Sequence, residues 1–363
     1  MITVYVPDVG DGLAAGIRTI RDYRIEIDCG SKQSPDAALE KGLARINPQA
    51  FFVSHFHLDH YNGLFQWEHS RPCPFPMIEQ AFFPRVPVFP QRETLMRFML
   101  AMNHWILGDT TGSMEADFLG VLSRINFRSF RYRSLSAGET IQLGGAQLDV
   151  LWPPRVLDDE RSLKVIRTAI SDFEAAREED EVLRRIYEAI GEKGEIRPYV
   201  GDEGQWGELP GHGERLRMRG DVPFPMEPRE LRDAVKRAND SLRSAANHLS
   251  LAFHEDNRLL FLGDLESNQI KQVVSVLLSK DRDHFFVIIT PHHGTHWQQD
   301  LDRLRAWYAI SSVGEGLFRH VSPDFKLLAE ECLLTYLNGD IEVPASFPWW
   351  PVPRPFRHWR YFL

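Results

Sequence analysis

Cysteine is scarce in this 363-residue chain: Cys29, Cys73 and Cys332 stand far apart, and no C-x-x-C pair occurs. That argues against a disulfide framework or a thiolate zinc site and fits a reducing, cytoplasmic compartment. Long apolar runs are also missing. No stretch reaches the roughly 18 residues that a membrane span needs, and Met1 to Val6 carry neither the basic nor the apolar region of a signal peptide. Basic charge is in deficit, with 42 Lys and Arg against 51 Asp and Glu and a net charge of -9. Wholesale wrapping of nucleic acid is thereby disfavoured, although a local basic face could still meet phosphate.

What is present is enough apolar residue, 43% of the chain, to fill a substantial core. Short strands are predicted over 2–6, 16–20, 24–28 and 51–54, with a helical patch at 36–45 and a helix over 91–107. Gly144-Gly145 marks a hairpin between alternating segments at 140–143 and 146–151. Strands return at 250–254, 259–262 and 285–289, with a helix near 266–279, so the chain reads as α/β in two halves, 1–154 and 246–340. Between them, 155–245 is densely charged and then Gly- and Pro-rich, the character of an inserted helical segment or lid. Arg161, Lys164 and Arg167 at helical spacing, and Arg215, Arg217 and Arg219 in alternation, give it cationic groups that could meet phosphate. The last stretch, 341–363, is aromatic and proline-rich and contains Trp349-Trp350, which suits docking on this chain or on a protein partner.

The chemistry concentrates in Ser54-His55-Phe56-His57-Leu58-Asp59-His60. Four ligand-type residues fall within six positions directly after an apolar strand, where the chain leaves a sheet. Imidazole suits zinc and related ions, and a carboxylate adds a hard, charge-neutralising ligand, so one loop can serve two neighbouring cations. A surface loop rich in histidine by chance is the plain alternative. Further ligand types after later strands weigh against it: Asp264 follows Leu259 to Gly263, and His292-His293-Gly294 follows the run 285–290.

With H-x-H-x-D-H in place, the chain resembles the metallo-β-lactamase superfamily. The resemblance implies a four-layer αββα sandwich, two divalent ions, zinc or alternatively manganese, and hydrolysis by a water activated between them. It assigns His55 and His57 to the first metal, Asp59 and His60 to the second, and Asp264 to the bridge. It matches His292 or His293 to the last ligand, with His292 preferred, and Asp28 to an aspartate that orients the histidine loop. The third ligand of the first metal is assigned to His248, with Asn247 as the competing donor. Asp59 and His293 are the expected proton-handling residues, and His296 is a weaker candidate for substrate contact.

Further segments look like the hydrolase domain of the competence-protein channel family and its free-standing relatives: 138–143, 150–154, Asn247-x-x-Ser250-Leu251, Leu262 to Glu266, His292 to Thr295 and 310–314. That branch implies a phosphodiester or nucleotide substrate and a phosphodiesterase or nuclease. An ester, lactone or amide hydrolase, and a partner-binding component of a larger assembly, are the competing readings.

Overall fold

The computed structural model describes residues 2–68, 76–108, 117–193, 196–201, 205–211 and 232–345. Its inner strands are buried on both faces, which is why they read as apolar runs, whereas 140–143 near a sheet edge keeps a clean alternation. Along β4 (Ala50–Phe52), Ala50 and Phe52 point into one apolar cluster while Phe51 and the following Val53 point into another. In β11 (Leu259–Phe261), Leu259 and Phe261 share the first cluster and Leu260 enters the second. In β12 (His284–Ile289) the same split separates Val287 and Ile289 from Ile288.

The first cluster lies between two sheets and the second between the sheets and their helices, a four-layer αββα sandwich as the resemblance implies. One sheet adds β1 (Thr3–Val6), β2 (Gly12–Arg18), β3 (Arg24–Ser31), β5 (Gln80–Pro84), β6 (Phe130–Leu135), β9 (Gly207–Leu209) and β15 (Ile341–Pro344) to β4. Among the described residues its order is β15-β1-β2-β3-β4-β5-β6-β9, parallel from β3 to β6. The other contains β7 (Thr140–Leu143), β8 (Ala146–Trp152), β10 (Ala252–Glu255), β13 (Arg305–Ser311) and β14 (Ala329–Leu334). Its order is β14-β13-β12-β11-β10-β8-β7, parallel from β11 to β14. The hairpin β7–β8 turns through Gly144 and Gly145, with φ of 53° and 84°.

Outside the sheets lie α1 (Arg92–Ile106), α2 (Phe118–Ile125), α3 (Glu160–Glu179), α4 (Glu181–Lys193), α5 (Asp233–Asn247) and α6 (Ser267–Ser279). Asp159 caps α3 by accepting from the backbone N–H groups of Arg161 and Ser162. Phe173 of α3 stacks on Phe98 of α1 with ring centroids 4.0 Å apart, so the charged segment joins the helical layer here. β9, from the same segment, extends the first sheet beside β6. Arg167 pairs with Glu160 on the surface of α3, whereas Arg215, Arg217, Arg219 and the Trp349-Trp350 tail lie outside the described residues. No helix among the described residues is long and apolar enough to cross a membrane.

The two sheets meet through a ring cluster near the site. Phe52 stacks on Phe82 at 4.6 Å and reaches Phe253 of the other sheet at 5.7 Å, with Phe253 fully buried. Phe253→Ala is expected to cost about 3–5 kcal/mol, read as a lower urea midpoint with unchanged slope. A midpoint shift equivalent to under about 1 kcal/mol, the scale of a single buried methylene, would show that the rings do not tie the sheets together.

Candidate metal centre

The His55–His60 loop leaves the carboxyl end of β4, and three supports fix its course. A β-bulge in β3 is the first: Ala14 pairs with Cys29 and Ala15 with Ile27, leaving Asp28 as the extra residue, at φ 60°. The bulge turns the Asp28 carboxylate onto the loop. There it accepts the Ser54 N–H at 2.6 Å, the Ser54 hydroxyl at 2.6 Å and His60 Nδ1 at 2.8 Å. Gly30 is the second, because a Cβ there would stand 2.1 Å from the Asp59 carbonyl oxygen. The third is Asn103 of α1, whose amide donates to the Phe56 carbonyl at 3.0 Å and the Tyr61 hydroxyl at 2.8 Å.

From the second sheet, β11 delivers Asp264 and β12 delivers the Pro291-His292-His293-Gly294 turn. Gly263, at φ 51°, allows the turn into Asp264, where any Cβ would press to 2.5 Å on Ser250 Oγ. The Asp264 N–H then donates to Ser250 Oγ at 2.9 Å. His293 Nδ1 donates to the Ser312 carbonyl at 3.0 Å. The Nδ1 bonds of His60 and His293 fix both rings so that Nε2 faces inward, the usual second-partner arrangement of metal-binding histidines.

Around Asp264 Oδ2 stand His60 Nε2 at 3.6 Å, His293 Nε2 at 3.7 Å and His55 Nε2 at 3.9 Å. These separations are too long for hydrogen bonds. They are close to the spacing of two ligand atoms on a shared cation, because atoms each about 2.1 Å from a tetrahedral ion lie about 3.4 Å apart. His57 stands beside the group, its Nδ1 in a 2.8 Å hydrogen bond with His55 Nε2, and its buried Nε2 has no hydrogen-bond partner among the described residues. The donor set, imidazoles around one carboxylate, therefore fits a divalent transition metal.

Charge is finely balanced here. Burial alone would raise the Asp264 pKa, but the imidazoles of His293, His60 and His292 hold it well below the usual carboxylate range. Burial works against a charged His60, yet the Asp28 and Asp264 carboxylates outweigh it and push its pKa up to about 10. His57 goes the other way, down to about 3, through burial and the nearby Arg243. His55 is held well below its ordinary value by burial and by its histidine neighbours.

Three of the expected residues sit differently. His248 is turned onto the helices, with Nδ1 2.8 Å from both Ser162 Oγ and Gln269 Nε2, and Ser250 Oγ stands at 3.4 Å from His55 Nδ1. His248 heads a tight turn at the end of α5, and its buried polar partners on α3 and α6 capture the ring. Of the His292-His293 pair, it is His293 that faces Asp264. Both residues have left-handed backbone, φ 48° and 58°, which separates the two rings and leaves His292 beside Glu266. Asp59 carries its carboxylate against Arg243 of α5, 3.0 Å away, and this guanidinium holds the Asp59 pKa far below the ordinary range despite burial. Arg243 does not stand out in the sequence; its place four residues before Asn247 on one helix, hence on the same face, is the signal that could have found it.

No protein-family model and no curated protein matches the chain. Among solved structures it is similar to "a New Diphosphatase from the PhnP Family", with TM-score 0.40 and 11% identity over 95% of this chain and 98% of that one. It is also similar to a long form RNase Z from yeast, with TM-score 0.37 and 7% identity. The latter match covers 80% of this chain but only 32% of the RNase Z. Likeness of this order carries no argument about activity.

Proposed function

We propose that the chain is a binuclear metal-dependent hydrolase of phosphodiester bonds, in nucleic acid or in a small nucleotide. The observation that carries the proposal is the ring of three inward Nε2 atoms at 3.6–3.9 Å from one Asp264 oxygen. His55, His57, His60, His293 and Asp264 are the residues that would hold the two ions. Imidazole-rich donors favour zinc. When bound, such a pair supplies Lewis acidity at a phosphoryl oxygen and a water acidified toward neutrality.

The remaining work falls to this chain's own groups. Asp28 and the Ser312 carbonyl hold His60 and His293 in the tautomer that presents Nε2, so no ring has to reorganise. Asp59, ionised against Arg243, is a carboxylate that can orient a water by accepting its hydrogen bond. The Arg243 side chain is 36% exposed, which leaves guanidinium N–H groups free to meet a phosphate oxygen. Resemblance to the competence-protein hydrolase branch supports the same substrate class, and three scattered cysteines without a C-x-x-C pair fit a cytoplasmic setting.

The test offers bis(p-nitrophenyl) phosphate, single-stranded DNA and p-nitrophenyl acetate to the same preparation. Phosphodiester turnover that disappears on chelation and returns with Zn²⁺ or Mn²⁺ is the expected result. Turnover of the acetate alone would favour the ester, lactone or amide reading instead, and full phosphodiester turnover in a metal-free preparation would end the proposal.

A further inference from the structure

Two residues beyond Asp264, a second group of donors has no role in the centre described above. One ligand atom each from Glu266, His292 and His296 lie within 4.8 Å of one another. His296 Nε2 stands 2.9 Å from Glu266 Oε2, and His292 Nδ1 stands 3.8 Å from Glu266 Oε1. The two imidazoles stack nearly parallel, 14° apart in plane with centroids at 4.4 Å, so their edges present nitrogen side by side.

The surroundings are built for this grouping. Consecutive left-handed residues with a Cβ are rare, and each costs on the order of 1–3 kcal/mol unless its neighbours enforce it. Here the His292 N–H donates to the Gly263 carbonyl at 2.9 Å and its carbonyl accepts the Thr295 N–H at 3.0 Å. That geometry sends His293 to Asp264 and His292 to Glu266, their ring centroids 6.2 Å apart. From beneath, Asn247 donates Nδ2 to Glu266 Oε1 at 3.1 Å. Asn247 is only 5% exposed, and its Oδ1 has no partner among the described residues. Neither do His292 Nδ1 and His296 Nδ1, both of them buried atoms. A pure hydrogen-bond network would leave few such atoms unpaired.

We infer that Glu266, His292 and His296, backed by Asn247, form a third divalent-cation site beside the proposed binuclear centre. Two imidazoles and one carboxylate are a donor set of zinc sites that keep an open coordination position. The Glu266, His292 and His296 side chains are 24%, 26% and 35% exposed, so a cation can enter from solvent and retain a water. None of the three ligands is needed by the binuclear centre, so the inference stands apart from that reading.

The metal-free chain is titrated with Co²⁺, following visible absorption, and bound metal is counted by elemental analysis. Three equivalents per chain are expected for the wild type and two for His296→Ala and for Glu266→Gln, each with loss of one absorption component. Asp264→Ala is expected to retain one equivalent, which disappears in the Asp264→Ala/His296→Ala double variant. Equal uptake by the wild type, His296→Ala and Glu266→Gln overturns the third site. Equal uptake by the wild type and Asp264→Ala would instead strike at the binuclear reading and leave the third site standing.

Discussion

Asp264→Ala is expected to lower phosphodiester turnover by more than about 100-fold, above the upper end of what losing an outer partner of a metal ligand costs. Three imidazole Nε2 atoms look onto its Oδ2 at 3.6–3.9 Å. No other carboxylate joins His55 and His60 in a group of mutually close ligand atoms among the described residues. Removing it leaves the ring without the negative charge that would draw a dication in, so bound metal should fall together with turnover. The fold should survive, because the backbone N–H of residue 264 keeps its bond to Ser250 Oγ and the replacement is smaller. The check is elemental analysis and bis(p-nitrophenyl) phosphate turnover, beside a circular dichroism spectrum that matches the wild type. Metal content and turnover within twofold of the wild type would dispose of Asp264 as the shared ligand.

How much of this was legible in the sequence differs by element. The strands and helices that carry the centre announce themselves through apolar runs ending in ligand-type residues: 51–54 before His55, 259–262 before Asp264 and 285–289 before His292. Each lies within two residues of the strand that forms. β5 and α2 went unpredicted, since a strand of 5 residues and a helix of 8 are too short to show a clear period. The choice between His292 and His293 depends on two consecutive left-handed residues, and backbone of that kind has no signature when neither residue is glycine. His248 shows the same limit from another side. A histidine just before a strand reads as a ligand, but Ser162 and Gln269, 86 and 21 residues away, decide where its ring goes. Asp28 was legible as an orienting residue by resemblance alone; the bulge that aims it comes from the pairing of β2 with β3.

Asp28→Asn should weaken metal binding by about 10- to 100-fold, the range for outer partners of metal ligands, without removing a single proposed ligand. Asn tolerates the left-handed backbone that position 28 requires, so the bulge should persist. What changes is the acceptor: an amide has one acceptor oxygen where the carboxylate has two, and it must meet the Ser54 N–H, the Ser54 hydroxyl and His60 Nδ1. One buried group is left unpaired, costing about 1–3 kcal/mol, and His60 loses the charge that favours its protonated form. A pH dependence of the metal-free protein follows. The folded-state pKa of His60 is raised from 6.5 to about 10, so the folded protein binds the proton more tightly than the unfolded chain does. The stabilisation from His60 is thus complete below about pH 6.5 and is lost as pH rises through about 10. In the variant the Asp28 contribution is gone and that decline should be shallower. Urea midpoints of the two metal-free proteins, taken from pH 6 to pH 10, should therefore converge as pH rises. Parallel profiles across that range would show that Asp28 does not control the charge of His60. Because a metal must displace the His60 proton, wild-type uptake at neutral pH should also release more protons than uptake by the variant. Titration in weakly buffered solution measures this, and equal proton release by the two proteins would likewise show that the Asp28 carboxylate leaves the protonation of His60 unchanged.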